Sequence, residues 1–125
     1  MYFSEKEMFC KYDPKDLPDG VISNLMKLRE RLNKLGFGFK PPRVFTCTYR
    51  SEEHNARVGG AKKSSHLTGC ACDIADSDNK LKDYLRSHLS LLEEFDLYAE
   101  DFDSTPTWVH LTTLAPKSGK RVFKP

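Results

Sequence analysis

Apolar residues recur at helical spacing along residues 19–35 and predict an amphipathic helix there. The apolar face of this helix consists of Val21, Leu25, Leu28, Leu32 and Leu35. Asp19 is expected to cap the start of the helix, and Gly36 is expected to end it. Residues 36–42 are rich in glycine and proline, so they predict a turn-rich connector.

A second long helix is predicted in the second half of the chain. Ser77 or Asp78 is expected to cap it, and the helical pattern continues to about Glu94. Its inward-facing stripe consists of Leu81, Leu85, His88, Leu89 and Leu92. A shorter helix is predicted over residues 51–58, where Ser51 can serve as the cap and acidic residues follow in the first turn.

Segments rich in Val, Phe, Thr and other strand-forming residues predict β-strands between these helices. The predicted strands cover residues 43–49, 70–75, 96–100, 107–113 and 121–123. Strands and helices are interspersed, and the connections between strands are short. This favours an α+β fold, with a small antiparallel sheet and helices packed mainly on one side. A chain of 125 residues is expected to form one domain, residues 1–125, around a single core.

The composition is that of an ordinary folded domain, with 38% hydrophobic and 30% charged residues. The formal net charge is only +2, so the chain lacks the strong basic character expected of a nucleic-acid binder. No apolar run reaches the length that crosses a bilayer, so no membrane insertion is expected. The first residues show no secretory signal pattern, and synthesis in the cytoplasm is expected.

The four cysteines, Cys10, Cys47, Cys70 and Cys72, are expected to be free thiols, because the expected compartment is reducing. No Cys-x-x-Cys spacing occurs, which disfavours both a zinc ribbon and a cysteine-based redox protein. Cys70 and Cys72 fall on one face of a predicted strand and are expected to be small buried hydrophobic residues.

Residues 64–76 contain the most informative chemistry, because His66 precedes Asp73 by seven positions and His110 follows later in the chain. An acid within an apolar strand is costly unless it is paired or binds a metal. For Asp73 alone, the alternatives are an ion pair with an arginine or a cap for the following helix. Two histidines and a carboxylate are a recurring ligand set for catalytic zinc, because three protein ligands leave a fourth position open for water.

Several short motifs, taken together, resemble one known family. They are Thr48-Tyr49-Arg50-Ser51 with His54-Asn55, Val58-Gly59-Gly60, Ser64-x-His66-x-x-Gly69-x-Ala71-x-Asp73-Ile74, and Trp108-Val109-His110. In this order they resemble the zinc D-Ala-D-Ala carboxypeptidase and peptidoglycan endopeptidase family. That family includes phage endolysins and shares its fold with the amino-terminal domain of hedgehog proteins. The resemblance covers residues 44–113 and implies a hedgehog/DD-peptidase-like fold.

The resemblance also implies roles for individual residues. The residues that match the family's zinc ligands are His66, Asp73 and His110. Arg50 matches the arginine that holds a carboxylate or carbonyl of the substrate peptide, a task suited to the fixed fork of a guanidinium. A surface ion pair with Glu52 or Glu53 is the alternative for Arg50. Ser64 matches a serine whose hydroxyl lies near the substrate, and Trp108 is assigned to substrate binding as well.

The general base is where this chain departs from the best-known pattern of the family. Many relatives have an acid three residues before the last histidine, where this chain has Thr107. Other relatives place a glutamate at the end of the preceding strand, and Glu100 matches that placement. Asp101 and Asp103 are the alternatives for this role.

The resemblance therefore implies a zinc metallopeptidase that hydrolyses stem peptides of bacterial cell-wall peptidoglycan, as a D-Ala-D-Ala carboxypeptidase or an L-Ala-D-Glu type endopeptidase. We expect a monomeric phage or prophage lysin that acts on the cell wall after release from the cytoplasm. The alternative is a zinc-binding, catalytically inactive interaction module on the same scaffold.

Overall fold

The computed structural model of the chain describes residues 3–35 and 43–125. The predicted connector at residues 36–42, with the helix stop at Gly36, lies outside them. The described α-helices are α1 (Glu5–Phe9), α2 (Val21–Leu35), α3 (Glu52–Arg57), α4 (Lys80–Ser87) and α5 (Ser90–Glu94). The described strands are β1 (Phe45–Cys47), β2 (Ala71–Ala75), β3 (Tyr98–Glu100), β4 (Trp108–Thr112) and β5 (Val122–Phe123). Short 3₁₀ helices cover Pro14–Asp16, Ser65–Thr68 and Phe102–Ser104.

The described strands form one sheet in the order β1-β2-β4-β3-β5, which confirms the predicted α+β class. The β1–β2, β2–β4 and β4–β3 pairs are antiparallel, as expected, whereas β5 pairs parallel to β3 and makes the sheet mixed. The reason is topological. Strand β4 runs antiparallel to β3, so a chain that reverses after β4 and joins the free edge of β3 must run parallel to it.

Helices cover one face of the sheet, and the core lies between them. Alternate strand residues point into this core, namely Cys72, Ile74, Ala99, Val109 and Leu111. The helices contribute Leu25, Leu28, Leu32, Leu81, Leu85 and Leu92 to the same cluster. Because successive side chains of a strand point to opposite faces, the residues between these positions lie on the other face of the sheet. That face carries the candidate site.

The first described helix, α1, is not predicted by the sequence pattern. Ser4 and Glu7 form a reciprocal capping box at its start, and Met8 is buried beneath it. The Met8 carbonyl accepts a hydrogen bond of 2.7 Å from Thr48 Oγ1. The amino-terminal segment thereby supports the loop after β1, which contacts the candidate site.

The second long helix predicted from the sequence is in fact two helices, α4 and α5. The chain leaves helical geometry at His88, where φ is −135°. His88 and Leu89 are exposed, so their assignment to the inner stripe is wrong. Serine and histidine are mediocre helix formers, and they surround this break. Asp76 shares the capping of α4 with Asp78, because its buried carboxylate accepts from the first amides of the helix.

None of the helices in the described part of the chain combines the length and apolar character needed to cross a membrane.

Candidate metal centre

Four strands each contribute one side chain to a row across the polar face of the sheet. The strand register pairs Cys47 with Asp73 and Asp73 with His110. The β3–β4 register continues the row to Glu100. Side chains that are directly opposite on one face of a sheet are close neighbours. The row therefore brings a thiol, two carboxylates and an imidazole together from distant parts of the sequence.

Cys47 belongs to this row because strand β1 contains a β-bulge. Phe45 pairs with Ile74 and Cys47 pairs with Asp73, so two steps along β1 match one step along β2. Without the bulge, alternation would place Cys47 on the same face as Phe45, in the core. The sequence pattern carries no signal for the bulge, and it does not predict the position of Cys47.

Two histidines meet at one oxygen of Asp73. His110 Nδ1 lies 2.9 Å from Asp73 Oδ1, and His66 Nε2 lies 3.2 Å from the same atom. The two imidazole rings are 5.1 Å apart and nearly perpendicular. The structure thus brings the three residues predicted as ligands into one cluster.

His66 enters this cluster from the 3₁₀ helix Ser65–Thr68, above the row of strand residues. Its Nδ1 lies 2.6 Å from the carbonyl oxygen of Thr48, and a proton on Nδ1 satisfies that carbonyl. Nε2 faces Asp73, and once it gives up its own proton its lone pair is free to bind a metal ion. A backbone carbonyl that orients an imidazole in this way is a common feature of metal-binding histidines.

Gly69 ends the 3₁₀ helix in the left-handed conformation, with φ of +77°. A Cβ atom at this position would lie 3.0 Å from the backbone oxygen of Val21 and 3.2 Å from the Leu25 side chain. Glycine is therefore needed both for the turn and for the close approach of the His66 segment to α2.

The charges of the cluster are set by its own contacts. Burial disfavours the charged form of His66, but the hydrogen bond to Asp73 outweighs it and, with Cys47, raises the pKa of His66 to about 10. Burial likewise opposes ionisation of Asp73, yet the hydrogen bonds from His110 and His66 hold its pKa well below the usual range. Asp73 therefore stays negatively charged, which is the state in which a carboxylate binds a metal ion.

The two histidine contacts of Asp73 Oδ1 are compatible with a zinc ion, although the described group whose donor atoms all lie within 4.8 Å of one another is Cys47, His66 and Asp73. Tetrahedral ligands at zinc–ligand distances of about 2.0–2.2 Å are roughly 3.3 Å apart. The distances from Asp73 Oδ1 to the two histidine nitrogens, 2.9 and 3.2 Å, are close to that value. Metal binding releases protons from its ligands, and here an ion would replace the protons that the histidines share with Asp73.

A second donor set overlaps with this one. Ligand-capable atoms of Cys47, His66 and Asp73 all lie within 4.8 Å of one another. However, Cys47 Sγ lies 3.6 Å from His66 Nδ1, the nitrogen that Thr48 already engages, whereas Asp73 approaches Nε2. Cys47 thus contacts the side of the His66 ring that Thr48 engages, and not the nitrogen that faces Asp73. Burial opposes the thiolate, but contacts with His66 and Arg50 lower the pKa of Cys47.

Arg50 points inward toward this cluster. Its Nη1 donates to Asn55 Oδ1 at 2.8 Å, and its Nη2 lies 3.9 Å from Asp73 Oδ2. Only 13% of the side chain is exposed, so these inward contacts replace the surface ion pair considered from the sequence. A Cβ at Gly60 would collide with Asn55 and would lie 2.7 Å from Arg50 Nη1. Gly60 thus makes room for the pair that holds the guanidinium.

A cleft of about 360 Å³ opens beside His110. Its lining residues are Ala61, Lys63, Ser64, Ser65, Glu100, His110, Thr112, Leu114, Ala115, Pro116, Phe123 and Pro125. Glu100 and Ser64, both predicted at the site, therefore lie in it. Ser64 Oγ also accepts a hydrogen bond of 3.3 Å from the His66 amide, so it caps the segment that carries His66.

Among the acids considered as bases, only Glu100 lies in the cleft. Burial raises the pKa of Glu100, His110 opposes that rise, and Asp73 adds to it. Asp103 instead pairs with Arg86 at 3.0 Å on the exposed surface, and Asp101 accepts a hydrogen bond from Ser104.

Trp108 lies on β4, two residues before His110 and on the same face of the sheet, and it is partly buried. It pairs with Ala75 in the strand register and is not among the residues that line the cleft. Trp108 therefore lies on the surface of the sheet outside the cleft, and any contact with a substrate would be made there.

A protein-family model described as Peptidase M15 matches residues 1–112 of the chain. No curated protein and no solved structure matches the chain significantly. The matched range contains every site residue predicted from the sequence and leaves residues 113–125 beyond its end.

Proposed function

Because this chain belongs to the peptidase M15 family, whose members are zinc D-Ala-D-Ala carboxypeptidase-type enzymes, we propose that it hydrolyses peptide bonds in the stem peptides of bacterial peptidoglycan. One observation carries this proposal. Nitrogens of His66 and His110 meet at Asp73 Oδ1, beside a cleft that also contains Glu100. The bond cleaved is either the terminal D-Ala-D-Ala bond or the L-Ala-D-Glu bond.

We propose that His66 Nε2, Asp73 and His110 Nδ1 hold the zinc ion. Bound zinc would supply Lewis-acid chemistry, which polarises a carbonyl group and makes a water molecule more acidic. Three protein ligands are typical of catalytic zinc sites. The contacts of His66 Nδ1 with Thr48 and of Asp73 with both histidines keep the donor atoms in place before a metal binds.

We propose Glu100 as the general base. It lies next to His110 in the row of strand residues and faces the cleft, where a substrate and a water molecule can reach it. A carboxylate in this position can accept a proton from the attacking water and return it to the nitrogen of the leaving amine. Because Glu100 can serve as the base, the lack of an acid at position 107 does not imply a catalytically inactive module.

We propose that Arg50, Ser64 and Trp108 bind the substrate peptide. Asn55 fixes the Arg50 guanidinium next to Asp73. The positive charge of this guanidinium favours a substrate carboxylate or carbonyl oxygen. Ser64 offers a hydroxyl at the edge of the cleft. Groups held in one orientation make the attack on the peptide nearly intramolecular.

We further propose that the protein is a phage or prophage lysin that is made in the cytoplasm and reaches the cell wall on release. The support for this is the resemblance of its motifs to a family that includes phage endolysins. We also propose that it acts as a monomer, since every group of the proposed site comes from one chain.

The test uses zinc-loaded protein and defined muropeptides, with products identified by mass spectrometry. We expect release of terminal D-alanine from pentapeptides, or separation of L-alanine from the rest of the stem. His66→Ala should abolish both the reaction and zinc binding. His88→Ala is the matched control, because His88 lies on the exposed surface and stacks on Tyr84.

Two results would contradict the proposal. If zinc-loaded protein leaves every muropeptide intact, the interaction module becomes the better explanation. If His66→Ala cleaves as well as the unchanged protein, the site is elsewhere.

A further inference from the structure

One wall of the cleft beside His110 comes from the carboxy-terminal segment of the chain. We call this the C-terminal wall, and it consists of Leu114, Ala115, Pro116, Phe123 and Pro125. All of these residues are apolar, and all of them lie beyond residues 1–112, the range that the family model matches. The other lining residues include Lys63, Ser64 and Ser65, which are polar and which we call the polar wall. The cleft lining thus has an apolar part and a polar part.

The C-terminal wall is fixed to the sheet. Strand β5 pairs parallel with β3, and Phe123 is the register partner of Glu100. The Ala99 amide donates to the Arg121 carbonyl at 2.7 Å, and the Asp101 amide donates to the Phe123 carbonyl at 2.6 Å. These bonds on both sides of Glu100 place the wall at a defined distance from the proposed base.

Phe123 brings the wall close to one of the proposed zinc ligands, His110. Its ring centroid lies 6.3 Å from that of His110, and the two rings are nearly perpendicular. The Phe123 side chain is only partly buried, and it lines the cleft. An apolar side chain that enters the cleft next to His110 must therefore lie close to the Phe123 ring.

We propose that Phe123 is a specificity-determining residue that packs against a small apolar side chain, an alanine methyl, next to the scissile bond. The cleft volume of about 360 Å³ is at the small end for ligand sites, which favours a small side chain. The polar wall receives the peptide groups, and the C-terminal wall removes the methyl group from water. This inference rests on the proposed peptidase function.

The first test compares two peptide substrates that differ only in having alanine or glycine beside the scissile bond. Burial of one methyl group corresponds to about a fourfold preference, and we expect wild-type protein to show it in kcat/KM. In Phe123→Ala the preference should fall toward one, mainly through a higher KM for the alanine peptide. Lys124→Ala is the matched control, because Lys124 is exposed and does not line the cleft.

A second test detects the contact itself, without turnover. Zinc-loaded Glu100→Gln protein is mixed with a peptide that carries a ¹³C-labelled alanine methyl, and its NMR resonance is followed. The phenyl ring of Phe123 should shift this resonance on binding. The second substitution, Phe123→Leu, keeps an apolar side chain, so the fold should tolerate it. In this double variant most of the shift should disappear while the peptide still binds.

The outcomes separate this inference from the function on which it rests. If wild-type protein cleaves the peptides but Phe123→Ala keeps the full alanine preference, or the methyl resonance does not shift, the role of Phe123 is refuted and the peptidase stands. If no peptide is bound or cleaved, both proposals fail. A loss of preference in Lys124→Ala equal to that in Phe123→Ala would also overturn the specific role of the ring.

Discussion

Asp73 is largely withdrawn from water, and its carboxylate is surrounded by two imidazoles and a guanidinium. His110 and His66 hydrogen-bond to one of its oxygens, and Arg50 lies 3.9 Å from the other. A buried charge that loses its partners is strongly destabilising. At the scale of single residues, the site is therefore a set of mutually dependent charges, and the identity of each donor can be tested separately.

Cys47 allows a test of which atoms hold the metal. If His66, Asp73 and His110 are the ligands, Cys47→Ser should bind one metal ion per chain as the unchanged protein does. Protein loaded with Co²⁺ should then show no thiolate-to-cobalt charge-transfer absorption in the near ultraviolet. Cys10→Ser is the control, because Cys10 is exposed and is not one of the strand residues that form the row. A charge-transfer band that disappears only in Cys47→Ser would show that the thiol is a ligand.

Glu100 and Asp103 allow a test of the proposed base. Glu100→Gln keeps the size of the side chain but removes the proton acceptor, so kcat should fall by about 10²–10⁴-fold. Zinc content should not change, because Glu100 is not among the proposed ligands. Asp103→Asn should leave kcat nearly unchanged, since Asp103 contacts Arg86 on the surface. Full activity in Glu100→Gln would transfer the role to another acid.

The sequence predicts part of this site because some physical constraints are local. An acid within an apolar strand requires a partner wherever the strand lies, so Asp73 could be recognised without a structure. The position of Cys47 depends on one extra residue in strand β1, and nothing local distinguishes that bulge from regular alternation. The buried contact between Arg50 and Asn55 likewise depends on how the loop folds back, which the residue types alone do not specify.

At the scale of elements, long periodic segments are predicted well and interruptions are not. Helix α2 covers Val21–Leu35, and its five predicted inward residues are all buried. The same periodicity misses the break at His88, because Leu89 continues the pattern while lying exposed. Periodicity reports which face a helix could bury, and it does not show whether the tertiary structure permits one continuous helix.

Gly69 allows a test of how an element positions the site. In Gly69→Ala, a left-handed backbone costs about 1–2 kcal/mol, and contact of the new methyl with Val21 and Leu25 adds about 1–3 kcal/mol. Gly119→Ala is the matched control, because it has φ of +71° but open space around it. Urea unfolding should therefore show a larger loss of unfolding free energy for Gly69→Ala. Equal losses would mean that close packing on α2 is unimportant.

At the scale of the whole molecule, the site joins segments that are far apart in sequence. The proposed ligands come from a 3₁₀ helix, from β2 and from β4, and the proposed base comes from β3. The unfolded chain does not hold these groups near one another, so a metal ion binds the folded state preferentially. Binding energy at such a site contributes directly to the free energy of unfolding.

Zinc should therefore stabilise the entire fold, and calorimetry can measure this by comparing metal-free with zinc-loaded protein. At a free zinc concentration 100 times Kd, the added stability is about 2.7 kcal/mol, which raises Tm by several degrees. His110→Ala should lose this increment, because it removes a nitrogen that lies 2.9 Å from Asp73 Oδ1. His54→Ala should keep it, since His54 lies on α3 and is not one of the proposed ligands. If zinc raises Tm equally in both variants, the ion binds at another place, and the proposed ligand set is wrong.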